Sequence, residues 1–278
     1  MQRIVKHLRI GWRWSVNGWR LFTLNPWLLG GMGFTAAALI GALIQIPLIG
    51  GLLVALLAPI GLASACLAVD AVRRQAMPLP AALRLSALKQ SPRFLIAVFR
   101  HEGHVLPTIA ACLYSVAAVL LTNLPVRLLA GNAWVAEWSS LEPVSQAGVL
   151  AVMMLVFVLY LVLAASLIYA LPLSLLRDEP LFPSLRQSLR ASRHFAVALL
   201  VLLGLLLAPL LLGAMVTPFS RAAGWLVSLL AGAIVLPLTV AGLYCSYRDI
   251  FLARERRAEI ETRAAPMPAE RRIAGASR

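Results

Sequence analysis

Long uncharged apolar windows separated by short clusters of charge set the pattern of this chain. The first window lies between Arg20 and Asp70 and holds 49 residues. As one straight helix rising about 1.5 Å per residue it would measure roughly 73 Å, over twice a hydrocarbon core of roughly 30 Å. It must therefore fold back. Gln45, Pro47, Gly50 and Gly51 interrupt the apolar run and mark the turn, because proline and glycine break a helical pattern most strongly. Spans near Trp27 to Ile46 and Leu48 to Val69 result. Val105 to Val126, Pro143 to Leu176, Phe195 to Ser220 and Ala222 to Tyr247 are each long enough to cross once but not twice. The expectation is an all-α polytopic membrane protein of six transmembrane helices occupying residues 1–252, followed by a basic cytoplasmic tail over 253–278.

Each apolar window is continuous, whereas a barrel strand alternates apolar and polar over about ten residues, so a β-barrel is excluded. A cleavable secretory signal is the competing reading of the first span, with basic residues ahead of a stretch containing Ala36 and Ala38. That stretch continues well past about 15 residues into a second span, which argues against it.

Composition points the same way. With 61% hydrophobic and 13% charged residues, the chain cannot both bury its apolar side chains in one core and cover itself with polar surface in water. Charge then orients it. Of the 25 Lys and Arg residues, 5 precede the first span, 6 lie between spans two and three, 4 between four and five, and 8 follow the sixth. The opposite face carries only Arg127 and Arg221. The positive-inside rule assigns the crowded face, with both termini, to the cytoplasm. Insertion topology also accounts for the net charge of +14, so anionic lipid headgroups rather than nucleic acid are the expected partners. Arg outnumbers Lys by 23 to 2, and Ala and Leu are abundant; this codon bias suggests a bacterial inner membrane.

Three segments ahead of the three pairs of spans look alike: LRIGWRWSVNGWRLF from Leu8, LRLSALKQSPRFLIAVF from Leu83 and LRQSLRASRHFAVALL from Leu185. They suggest a threefold repeat of a cytoplasmic amphipathic elbow helix followed by two spans. In the first, Ile4, Leu8, Trp12, Val16 and Trp19 recur at helical spacing with Lys6, Arg9, Arg13 and Arg20 between them, the pattern of a helix lying flat in the interface. In the second, Ser91 and Pro92 have the form of an N-cap with proline at the first helical position. The headgroup candidates are Arg9 and Arg13, Arg84 and Lys89, and Arg186, Arg190 and Arg193. On the other side, Trp134, Trp138 and Leu141 fit an aromatic belt better than a partner surface. Beyond Arg248 the chain is mixed in charge and then rich in Ala and Pro, and its last twenty or so residues are expected to lack a fold.

Chemistry-bearing motifs are sparse. His101, Glu102, Gly103 and His104 place two imidazoles near a carboxylate, but three apart with Gly inside instead of the i, i+4 spacing of a helical zinc site. Cys66, Cys112 and Cys245 fall inside spans without CxxC spacing. Asp70 ends span two with Arg73 and Arg74 three and four positions on, the spacing of a helical ion pair at the interface. No span carries Lys, Arg, Asp or Glu at mid-depth, where an active transporter needs them. Ala37 with Gly41, Ser64 with Ala68, and Ala111 with Ser115 mark close helix contacts. Pro59, Pro209 and Pro237 predict kinks. No phosphate loop, nucleophile elbow or paired-acid motif occurs, so no enzyme, cofactor or metal is expected.

The segments GWRWSVNGWRLFTLNPW, IPLIGGLLVALLAPIGLA, AVRRQAMPLPAAL and LRDEPLFPSLRQSLRASRHFAVAL together resemble a family of uncharacterised proteobacterial six-span inner-membrane proteins. The likeness covers residues 8 to 247, with Asp178 to Phe195 its most specific part. It implies topology and location and carries over no catalytic residue. The functional expectation is an integral inner-membrane protein that binds or organises anionic lipids or a membrane partner; a transporter or channel subunit is the alternative.

Overall fold

The computed structural model describes residues 2–47, 49–75, 97–100, 102–130, 143–177, 179–204 and 207–253, and all regular structure among them is helical. The helices are α1 (Gln2–Leu24), α2 (Pro26–Ile44), α3 (Gly50–Gln75), α4 (Glu102–Ala130), α5 (Pro143–Leu176), α6 (Leu181–His194), α7 (Ala196–Gly204), α8 (Leu207–Val216) and α9 (Arg221–Tyr247). A 3₁₀ turn spans Ala97–Arg100, and a π turn over Arg248–Leu252 continues α9.

Local chemistry sets the boundaries. Asn25 separates α1 from α2: its side-chain oxygen accepts from the Leu28 amide at 3.2 Å, and Pro26 supplies the first helical position, where a missing donor costs nothing. The turn expected at Gln45 to Gly51 joins α2 to α3, with the Ile46 amide donating to Leu43 at 2.9 Å and that of Gly50 to Ile46 at 3.0 Å. Gly50 is required there, because a Cβ would strike the Leu43 carbonyl oxygen.

Among the described residues, five helical stretches are long and apolar enough to cross a bilayer: Pro26–Ile44, Gly50–Arg74, Gly103–Thr122, Met154–Leu176 and Ala222–Leu252. They mark a multi-pass membrane protein. The remaining expected segment, Phe195 to Ser220, is helical over α7 and α8, on either side of positions 205 and 206, which lie outside the described residues. Each piece is helical up to those positions, and Pro209 lies within α8. The expected elbow around Ser91 and Pro92, the belt at Trp134 and Trp138, and the tail beyond Ala253 also lie outside the described residues.

α9 is the axis of the bundle and touches α1, α2, α3 and α8. α1 and then α2 follow it in the opposite sense, from Gly18 against Gly242 and Leu238, through Gly33 against Ala233 and Pro237, to Gly41 against the Trp225 indole. Ala37 meets Gly232 between these points, in keeping with the close contact that the Ala37 and Gly41 pair predicts. A Cβ on Gly18 would lie 2.7 Å from the Gly242 nitrogen, so only backbone separates the two helices there.

Three apolar clusters gather at the end of the bundle that carries Asp70, Arg177 and Asp249. Trp14, Tyr169, Leu173, Leu199, Leu202 and Tyr247 join α1, α5, α7 and α9. Phe22, Leu29, Met32, Val69 and Tyr244 join α1, α2, α3 and α9. Ala63, Val98, Ala111, Leu171 and Leu181 join α3, the 3₁₀ turn, α4, α5 and α6. Towards the other end α5 stands apart: Leu155, Phe157, Val158, Tyr160, Leu161 and Val162 point in nearly every direction around the helix and are 42–69% exposed. Apolar side chains on all faces suit a helix surrounded by lipid.

Gly18→Leu is expected to push α1 away from α9 at a cost of about 1–3 kcal/mol, the range for forcing bulk into a packed site. Thermal unfolding of the purified protein in detergent should register a lower midpoint, while Gly51→Leu, where a Cβ meets nothing within 4 Å, should leave the midpoint in place.

Candidate functional site

α6 is fastened to α5 by hydroxyls as well as by the apolar contact of Leu181 with Leu171. Ser184, Ser188 and Ser192 recur every four residues and are all buried. The Ser188 hydroxyl bridges one rung of the α5 ladder, accepting from the Tyr169 amide at 3.0 Å and donating to the Ala165 carbonyl at 2.9 Å. Ser192 donates to the same carbonyl at 3.0 Å. Interhelical hydroxyl bonds of this kind hold helices where no hydrophobic force distinguishes protein from lipid. With serine facing inward, Arg186, Arg190 and Arg193 form an exposed row with Phe182 at its head, 81% exposed. Three of the predicted headgroup cations therefore share one open face.

α1 shows the same inversion. Gly11, Trp14, Ser15, Gly18 and Phe22 face the bundle, while Leu8, Trp12 and Trp19 are exposed by 43%, 67% and 50%. Arg9 is exposed. Arg13 is engaged: its guanidinium donates to the Asp249 carboxylate at 2.9 Å. The buried Trp14 indole N–H donates to the same oxygen at 3.0 Å. Arg84 and Lys89, the remaining two predicted cations, lie outside the described residues.

A second carboxylate organises the junction of α3 and α9. Asp70 pairs with Arg74 one turn on, at 2.7 Å, as the spacing predicts. Its other oxygen accepts from the Tyr244 hydroxyl of α9 at 2.5 Å. Arg73, the other expected partner, donates to that hydroxyl at 3.3 Å. Acid, phenol and guanidinium thus form a chain across the two helices at the boundary of the apolar spans.

Beside Asp249 lies a depression of about 490 Å³, lined by Arg20 of α1, Arg73 of α3 and Arg248 at the end of α9, with Leu21, Leu24 and Leu252 forming apolar walls. Sequence reasoning assigned Arg20 to a flat helix and did not single out Arg248, Asp249 or Tyr244. One signal was available: a small Cys or Ser four positions before an Asp closes the second span of each pair, as Cys66 and Asp70, Ser174 and Asp178, and Cys245 and Asp249.

Hydroxyls inside the spans are mostly self-satisfied. Thr35, Thr108, Thr122 and Thr239 donate to carbonyls of their own helices; Tyr114 and Ser166 bond each other at 2.7 Å across α4 and α5. Of the proposed histidine cluster, His101 lies outside the described residues, and among those described no three His, Cys, Asp or Glu side chains converge. The chain matches no protein-family model, no curated protein sequence and no solved structure.

Tyr244→Phe leaves Asp70 and Arg73 without their shared hydroxyl. A hydrogen bond to a charged group contributes about 1.5–3 kcal/mol, so this variant should unfold at a distinctly lower temperature. Arg13→Gln removes an ion pair whose side chains are 64% and 44% exposed, a class of interaction contributing about 0–1 kcal/mol. A larger loss for Arg13→Gln than for Tyr244→Phe would contradict this ranking.

Proposed function

We propose that this chain is a six-span protein of a bacterial cytoplasmic membrane that binds anionic lipid headgroups through basic elbow helices on its cytoplasmic face. α1 and α6 serve as elbows of the first and third of three repeated units, and α7 with α8 supplies the fifth crossing, ahead of α9. The observation that carries this reading is the row Phe182, Arg186, Arg190 and Arg193, exposed on one face of a helix whose other face is locked onto the bundle by serines. A fixed helix cannot swing its cations back into protein, so their counterions come from outside. The closest dense source at that depth is the anionic leaflet, where each Lys or Arg contributes about 1 kcal/mol. The uneven distribution of 23 against 2 basic residues supports the cytoplasmic placement of that face.

Two measurements test this. Reporter fusions at Ser86 and Arg278 should read cytoplasmic and a fusion at Ser139 periplasmic; a periplasmic reading at Arg278 contradicts an even number of spans. Replacing Arg186, Arg190 and Arg193 together by Gln should lower occupancy by phosphatidylglycerol or cardiolipin in native mass spectrometry of the detergent-purified protein. Insertion should persist, because 20 cytoplasmic cations (23 minus 3) still set topology. Unchanged anionic-lipid occupancy would remove the support for headgroup binding along α6.

A further inference from the structure

We infer that the depression between α1, α3 and the end of α9 is a discrete phosphate-binding site, built to take the phosphodiester head of one anionic lipid. It extends the proposed lipid reading but uses none of the α6 cations. Arg20, Arg73 and Arg248 come from three helices far apart in sequence and converge on one concavity of about 490 Å³. Guanidinium groups are the side chains suited to bidentate recognition of phosphate oxygens. The one carboxylate on the wall, Asp249, is already neutralised by Arg13 and the Trp14 indole. Asp70, behind the wall, is held by Arg74 and Tyr244. The two acids near the site are thus turned towards partners of their own, and Arg20 brings a positive charge that no described residue offsets.

Lipid is favoured over a soluble phosphate by the walls and the depth. Leu21, Leu24 and Leu252 give the site an apolar side that a small hydrated anion does not need and a glycerol backbone with its acyl chains does. Trp19 and Trp27 stand exposed by 50% and 47% beside these residues in sequence, and exposed tryptophan on a membrane protein marks the headgroup level. Arg20 is itself exposed and its side chain makes no hydrogen bond or ion pair among the described residues, so its charge is available to a ligand.

The test uses the full-length protein carrying Gln at positions 186, 190 and 193, so that binding along α6 neither contributes nor confuses the result. Dioctanoyl phosphatidylglycerol and glycerol phosphate are titrated separately by calorimetry. Phosphatidylglycerol should bind, and Arg20→Glu should weaken it about tenfold or more, since one cation is removed and one anion added. Arg20→Gln should weaken it about fivefold without moving the unfolding temperature, which separates lost binding from lost fold. Glycerol phosphate binding as tightly as the lipid and equally sensitive to Arg20→Glu would keep the phosphate site and assign its ligand to the soluble phase. If neither ligand binds, or both bind Arg20→Glu as well as the parent, the site does not exist, whatever the α6 row does.

Discussion

Backbone meets backbone along α9. Inside a bilayer the surroundings of a helix are as apolar as its neighbours, so helices associate by close packing and hydrogen bonds instead of by expelling water. Gly18 against the Gly242 backbone and Gly33 against the Ala233 carbonyl and the Pro237 ring bring α1 and α2 close onto α9. Everything at the basic end of the molecule depends on that approach. It lodges Trp14 in the cluster shared by α1, α5, α7 and α9, and it carries Arg13 to Asp249 and Arg20 to the concavity between α3 and α9.

The charged end follows from the same geometry. A carboxylate at the boundary of a hydrocarbon layer needs donors, because leaving it unpaired there costs far more than it would in water. Asp70 and Asp249 each draw donors from elsewhere in the chain: the first from Tyr244 of α9, the second from α1. These bonds fix α1, α3 and α9 relative to one another. With the acids engaged, Arg20 stays exposed beside the concavity that Arg73 and Arg248 also line. Towards the opposite end the described side chains of α5 are exposed and apolar, as suits lipid.

What could be read in the sequence was what depends on length and local spacing. Five of the six apolar windows became helices long and apolar enough to span, the Pro and Gly cluster placed the turn between α2 and α3, and the i, i+4 spacing gave the Asp70 to Arg74 pair. The exposed arginines of α6 were likewise visible from their period. The inward faces of α1 and α6 were not legible, and the reason is physical. In water the apolar stripe of a helix turns to the protein; at a membrane it turns to lipid, and the small residues pack inward. Of the apolar stripe, Leu8, Trp12 and Trp19 are exposed, whereas Gly11, Ser15 and Gly18 face the bundle. The grouping of Arg20, Arg73 and Arg248, and the bond from Trp14 to Asp249, join positions on the order of 50 to 240 residues apart, which spacing rules confined to one or two helical turns cannot reach.

Whether α1 is packed into the bundle or only rests on the surface decides the account, and hydrogen–deuterium exchange of the full-length protein in lipid nanodiscs measures it directly. Amides in residues 11–22 should exchange as slowly as those in residues 238–247, because both lie in one packed unit whose opening requires separating α1 from α9. Rapid exchange across residues 11–22 beside a protected 238–247 would show α1 to be a loose interfacial helix and would contradict the close approach on which the charged end depends.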